Sequence, residues 1–415
     1  MLDINFIRQN PDKVKEGCRK KNIDVDISKL LELDREKRET LKAVEELRHR
    51  RNIISGEKEP DKEKIRKGRE LKEKIKNLNE DLEKVDKELA ELIYQIPNLP
   101  LDDVPVGKDE RDNVVLREVG VIPKFDFKPK DHLEIGENLD LIDVKRAAKV
   151  AGPRFGYLKR EAVLLEFGLI NFAFDILLKK GFTPVLPPVM IKPEMMWGMG
   201  YFIKAPEEGF FIERDKLYLI GTAEHSLGPM HANEVLNEGE LPRRYFGFSS
   251  CFRREAGAYG KDTRGIFRVH QFDKVEMFSF CKPEDSRKEH RLFLEIEEEL
   301  MKAIGLPYRV VRICTGDMAF PTASQYDIET WFPGQKKYRE THSTSNCTDY
   351  QARRLNIRYR DKNSRKLNFV HTVNGTVFSQ RPLIAILENY QRKDGKIDVP
   401  KVLQKYLGFK TIPRK

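Results

Sequence analysis

The chain has 415 residues, 35% of them charged, and a formal net charge of +10. That length can bury a substantial core and favours two domains over one, while the positive balance favours an anionic partner without separating nucleic acid, nucleotide and membrane surface. Cysteines at 18, 251, 281, 314 and 347 form no CxxC pair and no Cys/His cluster at zinc spacing, which disfavours a disulfide framework or structural zinc and fits a reducing cytoplasm.

The opening "MLDINFIRQNPDKVKEG" carries acidic residues and no apolar h-region, and no long apolar run occurs anywhere, so neither a signal peptide nor a membrane span is expected. From about Ser28 to Ile96 the chain is rich in Lys, Glu, Arg and Leu and nearly free of glycine and proline, which is helical composition. Leu71, Ile75, Leu78, Leu82, Val85, Leu89, Leu92 and Ile96 form an unbroken heptad seam. Leu30, Leu33, Lys37, Thr40, Val44, Leu47, Arg51 and Ile54 keep the same step with polar intrusions. Between the two runs lies "SGEKEPD", where Gly56 and Pro60 break the helix, so the spacing predicts an antiparallel helical hairpin, a rod on the order of 40–50 Å long. Periodicity alone allows a spacer or dimerising coiled coil as readily as a nucleic-acid arm. Arg48, Arg50 and Arg51 near the tip, opposite Lys62, Lys64, Arg66, Lys67 and Arg69, favour the arm, and the lack of aromatics among them points to backbone or shape contact rather than base stacking.

The segment "IPNLPLDDVPVGKDERDN", 96–113, reads as a linker. The predicted domains are therefore 1–100, carrying the hairpin over about 28–96, and 101–415. The second region mixes strands ("RRYFGFSSCF", "GIFRVHQFDKVEMFSF", "YRVVRICTG") with helical patterns at 160–180, 284–304 and 382–391. It lacks regular βαβ alternation, so the fold class is α+β, an antiparallel sheet flanked by helices. With no GxxxxGK[ST] and no GxGxxG, a nucleotide must be held by something other than a P-loop or Rossmann turn.

The stretch "CFRREAGAYGKDTRGIFRVHQFDKVEM", 251–277, offers that alternative. Side chains two apart on a strand share a face, which groups Arg253 with Glu255, and Arg268 with His270, Phe272, Lys274 and Glu276. A solvated charged ribbon explains neither Phe272 among the charges nor the turn bearing Gly257, Gly260 and Gly265. Arginine forks neutralise phosphates, an aromatic or guanidinium plane stacks on a purine, and a carboxylate accepts from an exocyclic amine or an ammonium.

These residues resemble motif 2 of the class II aminoacyl-tRNA synthetases, in the form found in the seryl-tRNA synthetase family. "KGFTPVLPPVMI", about 180–190, resembles motif 1 with Pro188 at the dimer-interface proline, and motif 2 spans about 243–280. "LIGTAEHSL" carries the TxE signature, "YRETHSTSNCTDYQARR" resembles the segment before motif 3, and "NGTVFSQRPLIAILENYQ", about 373–391, resembles motif 3. The hairpin is similar to the family's tRNA-binding arm, with Arg48, Arg50, Arg51, Lys62 and Arg66 at its tip.

The resemblance implies a cytoplasmic homodimer, not membrane-bound, that activates L-serine with ATP and passes the seryl group to the 3′ end of tRNA(Ser), with Mg²⁺ accompanying ATP and no zinc. It implies Arg253 on the α-phosphate and attacking carboxylate, Arg268 and Arg381 on the β/γ end, Glu255 on the adenine amine, and Phe272 with Arg381 sandwiching the ring. Arg254, Val269, Thr341 and His342 fall in the ATP segments, and Glu340 and Ser343 are the implied Mg²⁺ ligands. For serine it implies Thr222, Ala223, Glu224 and Glu276 at the ammonium, and Asn374 and Thr376 at the hydroxyl. The segment Thr341-His342 and the seven-residue step from Asn374 to Arg381, followed by Pro382, depart from the family pattern. His225, His270 and His371 read as structural, since none has a second histidine at ligand spacing. The prolyl or threonyl enzyme, an enzyme charging a carrier protein, and a non-enzymatic coiled-coil nucleic-acid binder compete with this reading. The hairpin and the "KVEM" glutamate disfavour the first, the hairpin disfavours the second, and Arg253, Glu276 and Arg381 have no purpose in the third.

Overall fold

The computed structural model describes residues 1–56, 62–201, 208–255 and 264–413. It divides into two compact units, Met1–Pro97 and Asn98–Lys415.

In the first unit two short helices, α1 (Ile4–Gln9) and α2 (Pro11–Lys20), precede two long ones, α3 (Ile27–Ser55) and α4 (Lys62–Tyr94). Asp26 caps α3 by accepting from the Lys29 amide, supplying one orphan N–H of the first turn with a partner. The arms, of 29 and 33 residues, pack along the two predicted seams. Leu30, Leu33, Val44, Ile75, Val85 and Leu89 are buried, and Lys37 crosses from one arm to Asp86 on the other at 2.7 Å. Arg48, Arg50, Lys62 and Arg66 are exposed near the tip and Arg51 is half-buried. Pro60 lies outside the described residues.

The second unit is built on an eight-stranded sheet. Its strands are β1 (Val114–Val119), β2 (Thr183–Val185), β3 (Arg243–Phe252), β4 (Gln271–Cys281), β5 (Tyr308–Arg312), β6 (Ser324–Phe332), β7 (Lys337–Thr348) and β8 (His371–Ser379). They run in the order β1-β5-β6-β7-β8-β4-β3-β2, antiparallel throughout except where β2 joins β3. Five helices matter for the site: α5 (Glu161–Lys179), α6 (Glu224–Leu227), α7 (Ser286–Ile304), α8 (Tyr350–Leu355) and α9 (Gln380–Asn389). The main core lies between α5, α7, α9 and the sheet, with Leu165, Phe293, Ile386, Val275 and Val373 among its fully or nearly fully buried members. No described helix is long and apolar enough to cross a membrane.

Two irregularities of register bear on function. Lys274 pairs with Ser379 and Glu276 with Thr376, so one residue of β8, Val377, has no counterpart on β4. Likewise Asp327 pairs with Ser343 and Glu329 with Glu340, leaving Thr341 over on β7. Each is a β-bulge, which shifts side-chain alternation by one place. Thr376 and Ser379, three apart, thereby face the same way, and so do Glu340 and Ser343.

Candidate functional site

The motif-like hairpin is shorter as a ladder than strand alternation predicts. Pairing ends at Phe252 and Gln271, so Arg253, Glu255, Arg268 and His270 lie just past the strand ends. One further backbone bond, from the Arg253 amide to the His270 carbonyl at 2.9 Å, holds the two segments together. Glu255 then turns with φ of +51°, a left-handed conformation that takes the chain out of the sheet. Gly265 has φ of +76°, and a Cβ there would collide with the His132 ring at 2.2 Å. Gly257 and Gly260 lie outside the described residues.

Phe272, Lys274 and Glu276 remain on β4 and share one face. Their partners on β3 are Cys251, Ser249 and Gly247, all small, which leaves room above the strand. The resulting cleft is lined by Arg253, Glu255, Phe267, Arg268, Val269, Phe272, Lys274, Glu340, Thr341, Thr376 and Arg381, with Ser379 and Gln380 at its edge. Arg253 is anchored by donating its Nε–H to the Gly221 carbonyl at 2.9 Å, and its guanidinium lies 5.2 Å from the Phe272 ring centre. Arg268 donates to Glu255 at 3.1 Å. Arg381 reaches the Glu340 carbonyl at 3.0 Å and its carboxylate at 3.1 Å, and lies 5.0 Å from Phe267, whose ring also meets Arg339 at 4.0 Å. Arg381 occupies the first turn of α9, where Ser379 caps the helix and Pro382 removes an N–H that has no intrahelical partner anyway.

A buried polar cluster adjoins the cleft. Lys274 Nζ is 2.5 Å from Glu276 Oε2 and donates to Thr222 Oγ1 at 3.2 Å, and Thr222 donates to the same carboxylate at 3.3 Å. Glu224, in α6 immediately after Ala223, accepts from Gln351 of α8 and from Asn374 at 3.0 Å each, and from the Tyr201 hydroxyl at 3.0 Å. Burial, with the nearby Glu276 carboxylate, pushes Glu224 up to about 7. Burial also raises Glu276, against the opposing pull of Lys274. Thr376 faces Glu276 across the bulge.

The remaining predicted residues are more scattered. Arg254 turns away from the cleft, donating to the Gly209 carbonyl at 2.9 Å and lying 4.7 Å from Phe210. Thr341 directs its hydroxyl to Thr330 at 2.8 Å, and His342 is buried with burial lowering its imidazole to about 4. Ser343 accepts from Gln325 at 3.2 Å, beside Asp327, which burial and the charge of Glu340 push up to about 8. His225 accepts from the Gly221 amide, His270 meets the Arg253 carbonyl, and His371 meets Ser286. Sequence reasoning missed Phe267, Tyr201, Gln351 and the pairing of Lys274. Only Lys274 carried a visible signal, its alternation with Glu276.

A cleft ringed by three arginines and two phenylalanines, with acidic and amide groups beside it, is equipped to bind a nucleoside triphosphate next to a small zwitterion. Known proteins agree. A family profile described as the tRNA synthetase class II core domain (G, H, P, S and T) matches residues 210–390, which defines the class. A second, described as the seryl-tRNA synthetase N-terminal domain, matches residues 1–100. A serine–tRNA ligase of Dictyoglomus turgidum is 45% identical over the whole of both chains. The crystal structure of seryl-tRNA synthetase from Pyrococcus horikoshii complexed with ATP is 44% identical, superimposes with a TM-score of 0.94 and covers both chains fully. The cytoplasmic enzyme of Naegleria fowleri in complex with AMP is 36% identical, with a TM-score of 0.89, 100% of this chain and 99% of that one covered. The chain belongs to the seryl-tRNA synthetase family. Its activity is that of an ATP-dependent serine–tRNA ligase, forming seryl-tRNA with release of AMP and diphosphate.

Proposed function

We propose that the cleft divides the work of seryl-adenylate formation among its residues, a reading carried by the convergence of Arg253, Arg268 and Arg381 on one cavity with Phe272. The serine carboxylate attacks the α-phosphate, a meeting of two anions, so positive charge and alignment supply the catalysis and no protein nucleophile is required. Arg253, braced on Gly221, holds the α-phosphate and the attacking carboxylate. Arg268 and Arg381 hold the β/γ end. Phe272 and Arg381 enclose the adenine, Glu255 accepts from its amine, and the Val269 main chain borders the ring. Glu276, Thr222 and Glu224 take the serine ammonium, with Ala223 shaping the wall. Asn374 and Thr376 read the hydroxyl. The side chains of Arg254 and His342, which do not line the cleft, support roles in holding their segments rather than touching ATP, while Thr341 lines the cleft with its hydroxyl held by Thr330.

Mg²⁺ fits Glu340 and Ser343, because the bulge at Thr341 brings two hard oxygen donors to one face. No larger group of ligating side chains occurs among the described residues, which suits an ion that keeps water and phosphate oxygens. Glu340 and Ser343 would hold it there, where it would supply positive charge against the triphosphate. The hairpin with Arg48, Arg50, Arg51, Lys62 and Arg66 grips the tRNA backbone. Motif 1 forms a homodimer contact: Leu164, Phe167 and Leu178 on α5 are 50–55% exposed, Leu186 beyond β2 is 82% exposed, and Pro188 is exposed nearby. Five buried free cysteines fit a reducing cytoplasm.

Amino-acid-dependent ATP–pyrophosphate exchange over a panel of amino acids tests the site. Exchange with serine far above all others is expected, and a different preferred amino acid would overturn the pocket assignment. Light scattering should give twice the 48.5 kDa chain mass, and an active monomer would remove the dimer.

A further inference from the structure

Among the described residues Lys274 is the one cation inside the serine cluster, and it already holds the groups assigned to the substrate. Its ammonium is 2.5 Å from Glu276 Oε2 and 3.2 Å from Thr222 Oγ1. The residue is 9% exposed, a degree of burial a lysine tolerates when its charge is paired. It also lines the ATP cleft, alongside Arg253, Phe272 and Glu340. Serine brings a second ammonium to this cluster, where Lys274 already holds Glu276 Oε2 and Thr222 Oγ1, and two cations crowded against these groups repel each other strongly. Glu224, whose Oε1 accepts from Gln351 and Asn374 and whose Oε2 accepts from Tyr201, can offer the ammonium one more acceptor but does not separate it from Lys274. Moving one of the two cations relieves the repulsion.

The lysine can move. Its Cα is fixed in β4 between Ser249 of β3 and Ser379 of β8, but its four-carbon stem is flexible and its ammonium is a compact point charge without a required plane. The small partners on either side leave the path toward the cleft open.

We propose that Lys274 is an exchangeable cation: it neutralises Glu276 and orders Thr222 before serine binds, yields both to the substrate ammonium, and turns into the cleft, where the serine carboxylate meets the α-phosphate. This rests on the serine pocket assigned above. Glu276 has one cationic partner before and after, so its buried charge is never left alone. The displaced positive charge arrives where two anions approach each other, making Lys274 a catalytic residue only in the loaded site. The lysine makes and breaks no covalent bond and keeps its proton throughout.

The full-length protein crystallised with a non-hydrolysable seryl-adenylate analogue tests the exchange directly. Lys274 Nζ is expected out of hydrogen-bond reach of Glu276, with the analogue's ammonium in its place and Nζ on the acyl or phosphate-mimicking oxygens. The analogue seated in the cleft with Lys274 still on Glu276 would overturn the exchange alone. The analogue bound outside the cleft would overturn the pocket assignment as well. Kinetics separate this from a merely structural lysine. Lys274→Met should lower kcat of serine-dependent exchange by roughly 100-fold or more, while ATP affinity by direct titration changes less than about threefold. Lys274→Arg keeps the charge but forks onto Glu276 and resists displacement, so the serine KM should rise by about tenfold or more. Full rescue of KM and kcat by arginine, or wild-type kcat in a folded Lys274→Met protein, would refute the proposal.

Discussion

The helical arm and the catalytic unit carry charge under opposite conditions. In the arm, Lys37–Asp86 bridges two side chains that are each more than a third exposed, and Arg66–Glu70 and Lys67–Glu63 are more exposed still. Such pairs contribute little to stability and leave their charge available to an external polyanion. In the catalytic unit, Lys274–Glu276, Arg244–Glu289 and Glu224 sit in places where an unpaired charge is expensive. On the proposed function the same residue types would serve recruitment in one region and reaction in the other, with burial deciding which.

The largest effect that would break this division is expected at Arg253. Its replacement by alanine should lower serine-dependent pyrophosphate exchange by on the order of 10³ or more, because its proposed role places the guanidinium where charge develops in a water-poor site. Unchanged exchange in a folded variant would remove its role. Replacing residues 28–96 with a short linker should leave exchange within about threefold but lower kcat/KM for tRNA charging by roughly 100-fold or more. In the intact protein tRNA affinity should fall steeply with salt. Normal charging by the shortened protein would show that the arm's charges are only solvated surface.

Glu224 sharpens the other side of the comparison. Its folded-state value, pushed up to about 7 by burial and Glu276, lies above that of an unfolded glutamate. The folded state then holds a proton that the unfolded state has lost, so this contribution is complete below about pH 4.5 and disappears as pH rises to 7. Glu224→Gln removes the titration while keeping an acceptor for Gln351 and Asn374. Relative to wild type, the variant should gain on the order of 3 kcal/mol between pH 4.5 and pH 8. Denaturant midpoints of both proteins at the two pH values measure it, and parallel pH profiles would refute it. The smallest effect concerns selectivity. Thr376→Val, nearly isosteric but unable to hydrogen-bond, should erode discrimination of serine over alanine by about tenfold and leave the ATP KM unchanged. Retained selectivity would move the hydroxyl reader elsewhere, with Ser379 the nearest candidate on the same face.

The arm was legible because a coiled coil writes its contacts as a period: Ile75, Val85 and Leu89 bury where the heptad puts them. The cleft was legible because arginines alternating with an aromatic have few other uses. What stayed hidden depends on partners remote in sequence. Tyr201 and Gln351 act through Glu224, and nothing in their own neighbourhoods marks them. Phe267 looks like an ordinary strand residue until Arg339 and Arg381 close on it. Lys274 looks like one more charge in a charged segment, and its significance arises only from Thr222 and Glu276 meeting it at one point.

The two bulges carry a further consequence, for how the gene can tolerate insertions and deletions. A strand assigns faces by odd and even count, and a bulge acts as a parity change fixed at one address. Adding one residue to β4 opposite Val377 would leave the ladder with regular pairing and no obvious damage, yet Thr376 and Ser379, three apart with no bulge between them, could then no longer both look into the cleft. Adding one residue to β6 opposite Thr341 would separate Glu340 from Ser343 in the same manner. Single-residue insertions in β4 or β6 opposite these bulges should therefore abolish function while the sheet itself persists, whereas the loop between β6 and β7, whose count feeds no such register, can change length. In these strands the number of residues is as much a functional quantity as their identity.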